Sequence, residues 1–169
     1  MTNFKFNLRA RGWETGFAFV LVLLFAYIWL RHAGTYPSVF ADEQIYSHFA
    51  RLVPLKDVTI PSYLYFWTFG LTNACGDGFL GCARFLNMLF FVGSAPFIYM
   101  ATRLVAPKPA AMLAAVLCIA APTSTFTAYF MPESMYFFGF AVLTWLCLAR
   151  PLRHWVANAM VPGMVLGLM

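Results

Sequence analysis

The sequence predicts an all-α chain, a polytopic transmembrane helical bundle with an amphipathic interfacial helix in its first extracytoplasmic loop. Three observations predict it. The composition is 62% hydrophobic and 19% aromatic with only 10% charged residues, far from the roughly 25% charge of soluble domains. Uncharged apolar runs close to membrane-span length recur along the chain. The basic residues stand at the ends of those runs instead of gathering in a patch, so the net charge of +5 reads as orientation in a bilayer and no nucleic-acid partner is expected. At 169 residues, one module covering 1–169 is the natural domain count.

The chain opens with Lys5, Arg9 and Arg11 ahead of an apolar run, which imitates the basic start of a secretory signal, but no small-residue cleavage site follows. The run 15–30, edged by Trp13, Tyr27 and Trp29, is therefore expected as a retained first span that Arg31 extends by snorkelling. Residues 31–83 form a long first outer loop. A helix beginning after Phe40 places Ile45, Phe49, Leu52 and Val53 on one apolar stripe, with Asp42, Glu43, Ser47, His48 and Arg51 largely opposite. It is expected to lie in the headgroup layer, apolar face down, presenting Asp42 and Glu43 from a first turn where the helix dipole favours carboxylates. Pro37 punctuates the chain before it, and Pro54 ends or bends it.

The uncharged stretch 58–76 resembles a further span. If it does not cross, Lys5, Arg9, Arg11, Arg103, Lys108, Arg150 and Arg153 share the starting side, seven against the four of Arg31, Arg51, Lys56 and Arg84. If it crosses, the bias reverses. The positive-inside rule favours the first arrangement, with the N-terminus cytoplasmic and 58–76 half-buried or re-entrant on the outer face. Further spans are expected at 85–102, 110–130 with a kink at Pro122, and 134–149. A fifth apolar run, 155–169, is short for a crossing, so the chain is expected to be the N-terminal portion of a longer protein and to lack a full acceptor site by itself. Cys118 and Cys147 are expected as buried packing residues. Cys75 and Cys82 bracket a glycine-rich loop and either close a disulfide on an oxidising face or remain two thiols.

Acidic side chains are scarce, six in all, and the ones of interest fall in two outer turns. Asp42 and Glu43 come from the first loop and Glu133 from the turn between the third and fourth spans, with Arg51, Lys56 and Arg84 nearby in sequence. That combination suits transfer of a sugar from a lipid phosphate: cationic groups hold the phosphate, and a carboxylate takes the proton of the attacking hydroxyl. A single carboxylate base in an in-line displacement inverts the anomeric centre. A divalent cation on Asp42, Glu43 or Glu133 is chemically admissible, since hard cations favour carboxylates, but the spacing requires none. His32 and His48 have no partner at ligand spacing and are expected at the surface.

Asp42-Glu43-x-x-Tyr46-x-x-x-Ala50-Arg51 resembles the first-loop motif of the GT-C glycosyltransferases, the polytopic enzymes that include protein O-mannosyltransferases and lipid A aminoarabinose transferases. Pro61-Ser-Tyr-Leu-Tyr-Phe-Trp67 is similar to the proline and aromatic segment that follows that motif, and it contributes Tyr63 as a substrate contact. Ala83-Arg84 and Ala101-Thr102-Arg103-Leu104 match the family's style at the two ends of the second span, so the resemblance extends over about 10–150. It implies a polyprenyl-phosphate sugar donor, a lipid, glycan or protein acceptor, an active face that is periplasmic in a bacterial inner membrane, and Asp42 as catalytic base. Glu43 is its motif partner and Glu133 fills the second acidic position, where relatives often carry Asp. Tyr46 either hydrogen-bonds Asp42 or anchors the interface. The aminoarabinose transferases usually carry a lysine directly before the prolines of the aromatic segment. Here Thr59-Ile60 precede Pro61, which leaves Lys56 or Arg84 for the donor phosphate. The competing expectation is a non-catalytic membrane protein, a transporter half or an assembly subunit, whose outer acids bind cations or partners. Transporters place ionisable groups near the bilayer midplane, and the expected span interiors carry none.

Overall fold

The computed structural model describes residues 8–32, 41–149, 160 and 163–164. The described residues are helical with no strand: α1 (Leu8–His32), α2 (Ala41–Arg51), α3 (Tyr63–Gly70), α4 (Phe79–Gly93), α5 (Ala95–Thr102), α6 (Lys108–Ala120) and α7 (Glu133–Ala149), joined in part by 3-10 segments at Leu55–Asp57, Leu71–Gly78 and Pro122–Ala128. Two helical stretches, Gly12–His32 and Tyr63–Thr102, are long and apolar enough to cross a membrane, and the bent pair Lys108–Ala120 and Pro122–Ala128 is either a third, broken span or a re-entrant loop. The segments 33–40 and nearly all of 155–169, including the expected fifth span, lie outside the described residues, as do Pro37, Arg150 and Arg153.

The 40-residue stretch Tyr63–Thr102 is too long for one straight crossing, since a helix of that length would reach about 60 Å against a hydrocarbon core of about 30 Å. Gly76 breaks it. Its backbone sits at φ 54° and ψ −127°, a conformation that only glycine adopts without strain. The chain turns there, and a disulfide joins Cys75 to Cys82 across the corner. The second expected span at 85–102 thus begins earlier, at Phe79, and is divided at Ser94 ahead of Pro96, which has no N–H to continue the ladder. Pro122 follows a backbone already extended at Ala121 (ψ 157°), and the helix axis bends there by 50°.

Side-chain contacts sort the helix ends. Lys108 at the start of α6 meets Glu14 near the start of α1 at 3.1 Å. At the other end of α1, Arg31 donates to Ser124 (3.2 Å) and the His32 ring contacts the Thr127 hydroxyl at 2.6 Å. The start of α4 meets this same end, where Arg84 and Asn87 reach Ala128 and Tyr129. The 41–78 region therefore begins and ends at one end of the helices. Its α3 packs on α2 and contributes Tyr65, Phe66 and Phe69 to a buried cluster with Ala50, Ala83, Phe130 and Met135. A second cluster, with Ile28, Met88, Phe91, Ala115 and Ile119, ties α1, α4 and α6 together.

Three expectations change here. The Ile45/Phe49/Leu52/Val53 stripe is divided: Phe49 and Val53 pack with Tyr46 against the aromatic cluster, while Ile45 and Leu52 face outward. The reason is that α3 supplies an aromatic surface that competes for the helix. His32, expected at the surface, is 4% exposed and held by Thr127. Cys118 and Cys147, expected inside, face outward, on a lipid-compatible surface.

Candidate functional site

The site is built around a short irregular stretch, Ala128 to Phe130, between the 3-10 segment and α7. Tyr129 is extended (φ −104°, ψ 155°), so the chain leaves its helix and its peptide groups need other partners. Three side chains supply them. Arg84 Nε donates to the Ala128 carbonyl (2.9 Å), Asn87 Nδ2 donates to the Tyr129 carbonyl (2.6 Å), and Glu43 Oε1 accepts the Phe130 N–H (2.9 Å). Glu43 is only 5% exposed. It shares an inward edge of α2 with Tyr46 and Ala50, at spacings of three and seven residues, and does not point to solvent as the amphipathic reading expected. Its second oxygen, Oε2, is buried with no hydrogen-bond partner.

This clamp fixes α2 against the turn that starts α7, so Asp42 and Glu133 lie at the same end of the helices. Asp42, exposed in the first turn of α2, acts electrostatically on Glu133, the first residue of α7. Burial raises the Glu133 carboxyl above its ordinary proton affinity, a backbone hydrogen bond opposes this, and the charge of Asp42 adds to the rise. Glu133 Oε2 is buried without a partner. Three tyrosines, Tyr46, Tyr65 and Tyr136, cluster at this end. Tyr46, one turn after Asp42, stands edge-on to Tyr65 (5.6 Å between ring centres) and stacks on Phe66 (6.0 Å). Its hydroxyl is raised by burial first, then by Tyr136, Glu133 and Asp42. Tyr65 is fully buried on Phe69, and its hydroxyl finds no partner. Tyr136, one turn after Glu133, shares a hydrogen bond of 2.6 Å with the buried Ser62.

Of the residues expected at the site, Asp42, Glu43, Tyr46 and Glu133 gather at one place. The cations do not converge on the acids in the same way. The Arg51 guanidinium lies 3.4 Å over the Phe79 ring, and its Nε donates to Asn73, which in turn bonds the Arg51 carbonyl. Arg84 supports Ala128. Lys56 stands exposed in the 3-10 turn Leu55–Asp57, and Tyr63 is exposed at the start of α3. Tyr65, Tyr136 and Ser62 were missed by sequence reasoning. A signal for Tyr136 existed, since it follows Glu133 at the one-turn spacing that links Tyr46 to Asp42.

Among the described residues, no three histidine, cysteine or carboxylate side chains converge as a metal site. What the arrangement offers is an exposed carboxylate beside a half-buried carboxyl that holds its proton more tightly, with phenolic hydroxyls as hydrogen-bond donors. No family model, curated protein or solved structure matches the chain.

Proposed function

We propose that the chain is a polytopic membrane module of a GT-C-like glycosyltransferase that moves a sugar from a polyprenyl-phosphate donor to an acceptor hydroxyl on the extracytoplasmic face, in a bacterial inner membrane. The observation that carries this reading is that α2, whose first turn holds Asp42 of the first-loop motif, is tied through the Glu43–Phe130 hydrogen bond to the stretch that leads into Glu133.

Placement of that end outside the cytoplasm is supported twice. The basic residues favour a cytoplasmic N-terminus, and the Cys75–Cys82 disulfide lies toward the opposite end, where an oxidising compartment allows it.

In the proposed step, Asp42 takes the proton of the acceptor hydroxyl as its oxygen bonds to the anomeric carbon. The bond from that carbon to the phosphate oxygen breaks, and the polyprenyl phosphate departs with the bonding pair. Glu133 holds its proton more tightly, chiefly through burial, and leaves the base role to the exposed Asp42. The half-buried Tyr46 offers its hydroxyl as a donor to the sugar. Lys56, exposed in its 3-10 turn, is the candidate cation for the donor phosphate.

In-line attack with one carboxylate base inverts the anomeric centre. The test is the anomeric configuration of the product, read by NMR from donor and acceptor incubated with the membrane-inserted protein. The reading expects inversion. Retention would refute the single-base mechanism.

A further inference from the structure

A second feature lies at the end of the helices away from Asp42 and Glu133. Between α1 and α6 runs a groove of about 620 Å³ whose walls include Gly12, Trp13, Gly16 and Val20 of α1 and Met112 and Val116 of α6. Its depth comes from the two glycines: a methyl group added to Gly12 or Gly16 would meet nothing within 4 Å. The four α1 residues are exposed, so the groove is open along that wall. Its lining holds no charged side chain, but one end of it does meet charge. The Lys108 ammonium, on the first residue of α6, stands 3.1 Å from Glu14, which lies between the two glycines. Arg103 is at the other end of the same turn, and Arg9 and Arg11 are in the first turn of α1. Among the described residues, this end of α1, α5 and α6 thus places Arg9, Arg11, Arg103 and Lys108 against the single acid Glu14.

We propose that this groove seats one acyl chain of an anionic glycerophospholipid of the cytoplasmic leaflet, with the lipid phosphate at Lys108; the proposal rests on the membrane placement and orientation given above, and not on sugar transfer. Length selects the occupant. From Gly12 to Val20 the groove follows α1 for about 12 Å, within the roughly 15 Å depth of one leaflet and well short of the about 30 Å that a crossing helix of a second copy would need. Chemistry selects it as well. The walls suit hydrocarbon, and small residues leave room for close approach. An exposed ion pair such as Lys108–Glu14 is worth little by itself, so the ammonium can be shared with a phosphate, and the surrounding cations favour a negative headgroup. Trp13, 53% exposed beside Glu14, is a side chain that settles at headgroup level.

The experiment is native mass spectrometry of the whole chain released from detergent micelles, titrated separately with phosphatidylglycerol, phosphatidylcholine and glycerol 3-phosphate. The expected result is saturable retention of one phosphatidylglycerol per chain, with phosphatidylcholine about fivefold weaker and glycerol 3-phosphate not retained. Gly16→Leu fills the groove and abolishes retention of both lipids. Lys108→Gln brings phosphatidylglycerol down to the phosphatidylcholine level, and this surface change decides the matter should Gly16→Leu fail to insert. Val22→Leu, at an exposed α1 position outside the groove, keeps wild-type binding. No saturable retention, equal affinity for the two lipids, retention of glycerol 3-phosphate as strong as that of the lipid, a dimer that excludes lipid, or binding unchanged in both Gly16→Leu and Lys108→Gln overturns the proposal. The expected lipid pattern in a protein that transfers no sugar upholds the groove and removes only the enzyme.

Discussion

The Glu43 carboxylate accepts the backbone N–H of Phe130 at 2.9 Å, and through this bond the helix that carries Asp42 is fastened to the turn that delivers Glu133. With Arg84 and Asn87 holding the two preceding carbonyls, an irregular stretch is kept in one shape by three side chains from two helices. The motif's second acid is thus a positioning residue in this geometry.

Removing that acceptor has a defined cost. Glu43→Ala leaves the Phe130 N–H buried and unpaired and should destabilise the protein by about 1–3 kcal/mol. Glu43→Gln retains an acceptor and should cost less than half of that. Thermal unfolding in detergent distinguishes the two, and equal losses would show that the hydrogen bond is not what holds the turn.

Proton affinity at Glu133 gives a pH dependence. Its folded carboxyl is raised, chiefly by burial and further by Asp42, so the folded state binds this proton more tightly than the unfolded chain does. The associated stability is fully present below the ordinary glutamate value and is lost as pH rises through the raised folded value. A melting temperature that declines over that interval, with a smaller decline in Asp42→Asn, is the expected result. A profile unaffected by Glu133→Gln would contradict the assignment.

Helix α2 lies so close to α3 that a methyl group on Gly70 would stand 3.0 Å from the Ala50 carbonyl oxygen. Gly70→Ala should therefore push the helices apart at a cost of about 1–3 kcal/mol. Gly81, where an added methyl meets open space, is the control: its alanine variant should be neutral or slightly stabilising, and comparable losses at both positions would contradict this packing.

The Cys75–Cys82 link closes the Gly76 corner. For so short a loop, its loss should cost about 2 kcal/mol. The Cys75→Ser/Cys82→Ser double variant, compared with wild type with and without reductant, measures this. A wild-type protein indifferent to reductant and equal to the variant would show that the link does not contribute.

How much of this was legible in the sequence depends on the kind of signal. Breaks announced by chemistry were readable: Pro122 bends its helix, and the glycine-rich corner turns the chain because Gly76 adopts a positive φ. The Asp42 and Glu133 turns were also readable, because charge is rare in this chain and conspicuous where it occurs. Partner choice was not. Apolar periodicity on α2 could not tell a bilayer from the Tyr65–Phe66–Phe69 surface of α3, so Glu43 was assigned to the wrong side. Arg84 carried no local sign that its side chain reaches a carbonyl 44 positions away. His32 is buried because Thr127, far along the chain, receives its ring, and no short-range pattern encodes such a pairing.

The most direct test is the rate of sugar transfer by Asp42→Asn, assayed from the complete reading frame in membranes with a polyprenyl-phosphate-linked sugar as donor. Loss of the base should lower turnover by about 10²–10⁴-fold while insertion, the disulfide and the melting temperature stay near wild type. Transfer at near-normal rate by this variant would contradict the account.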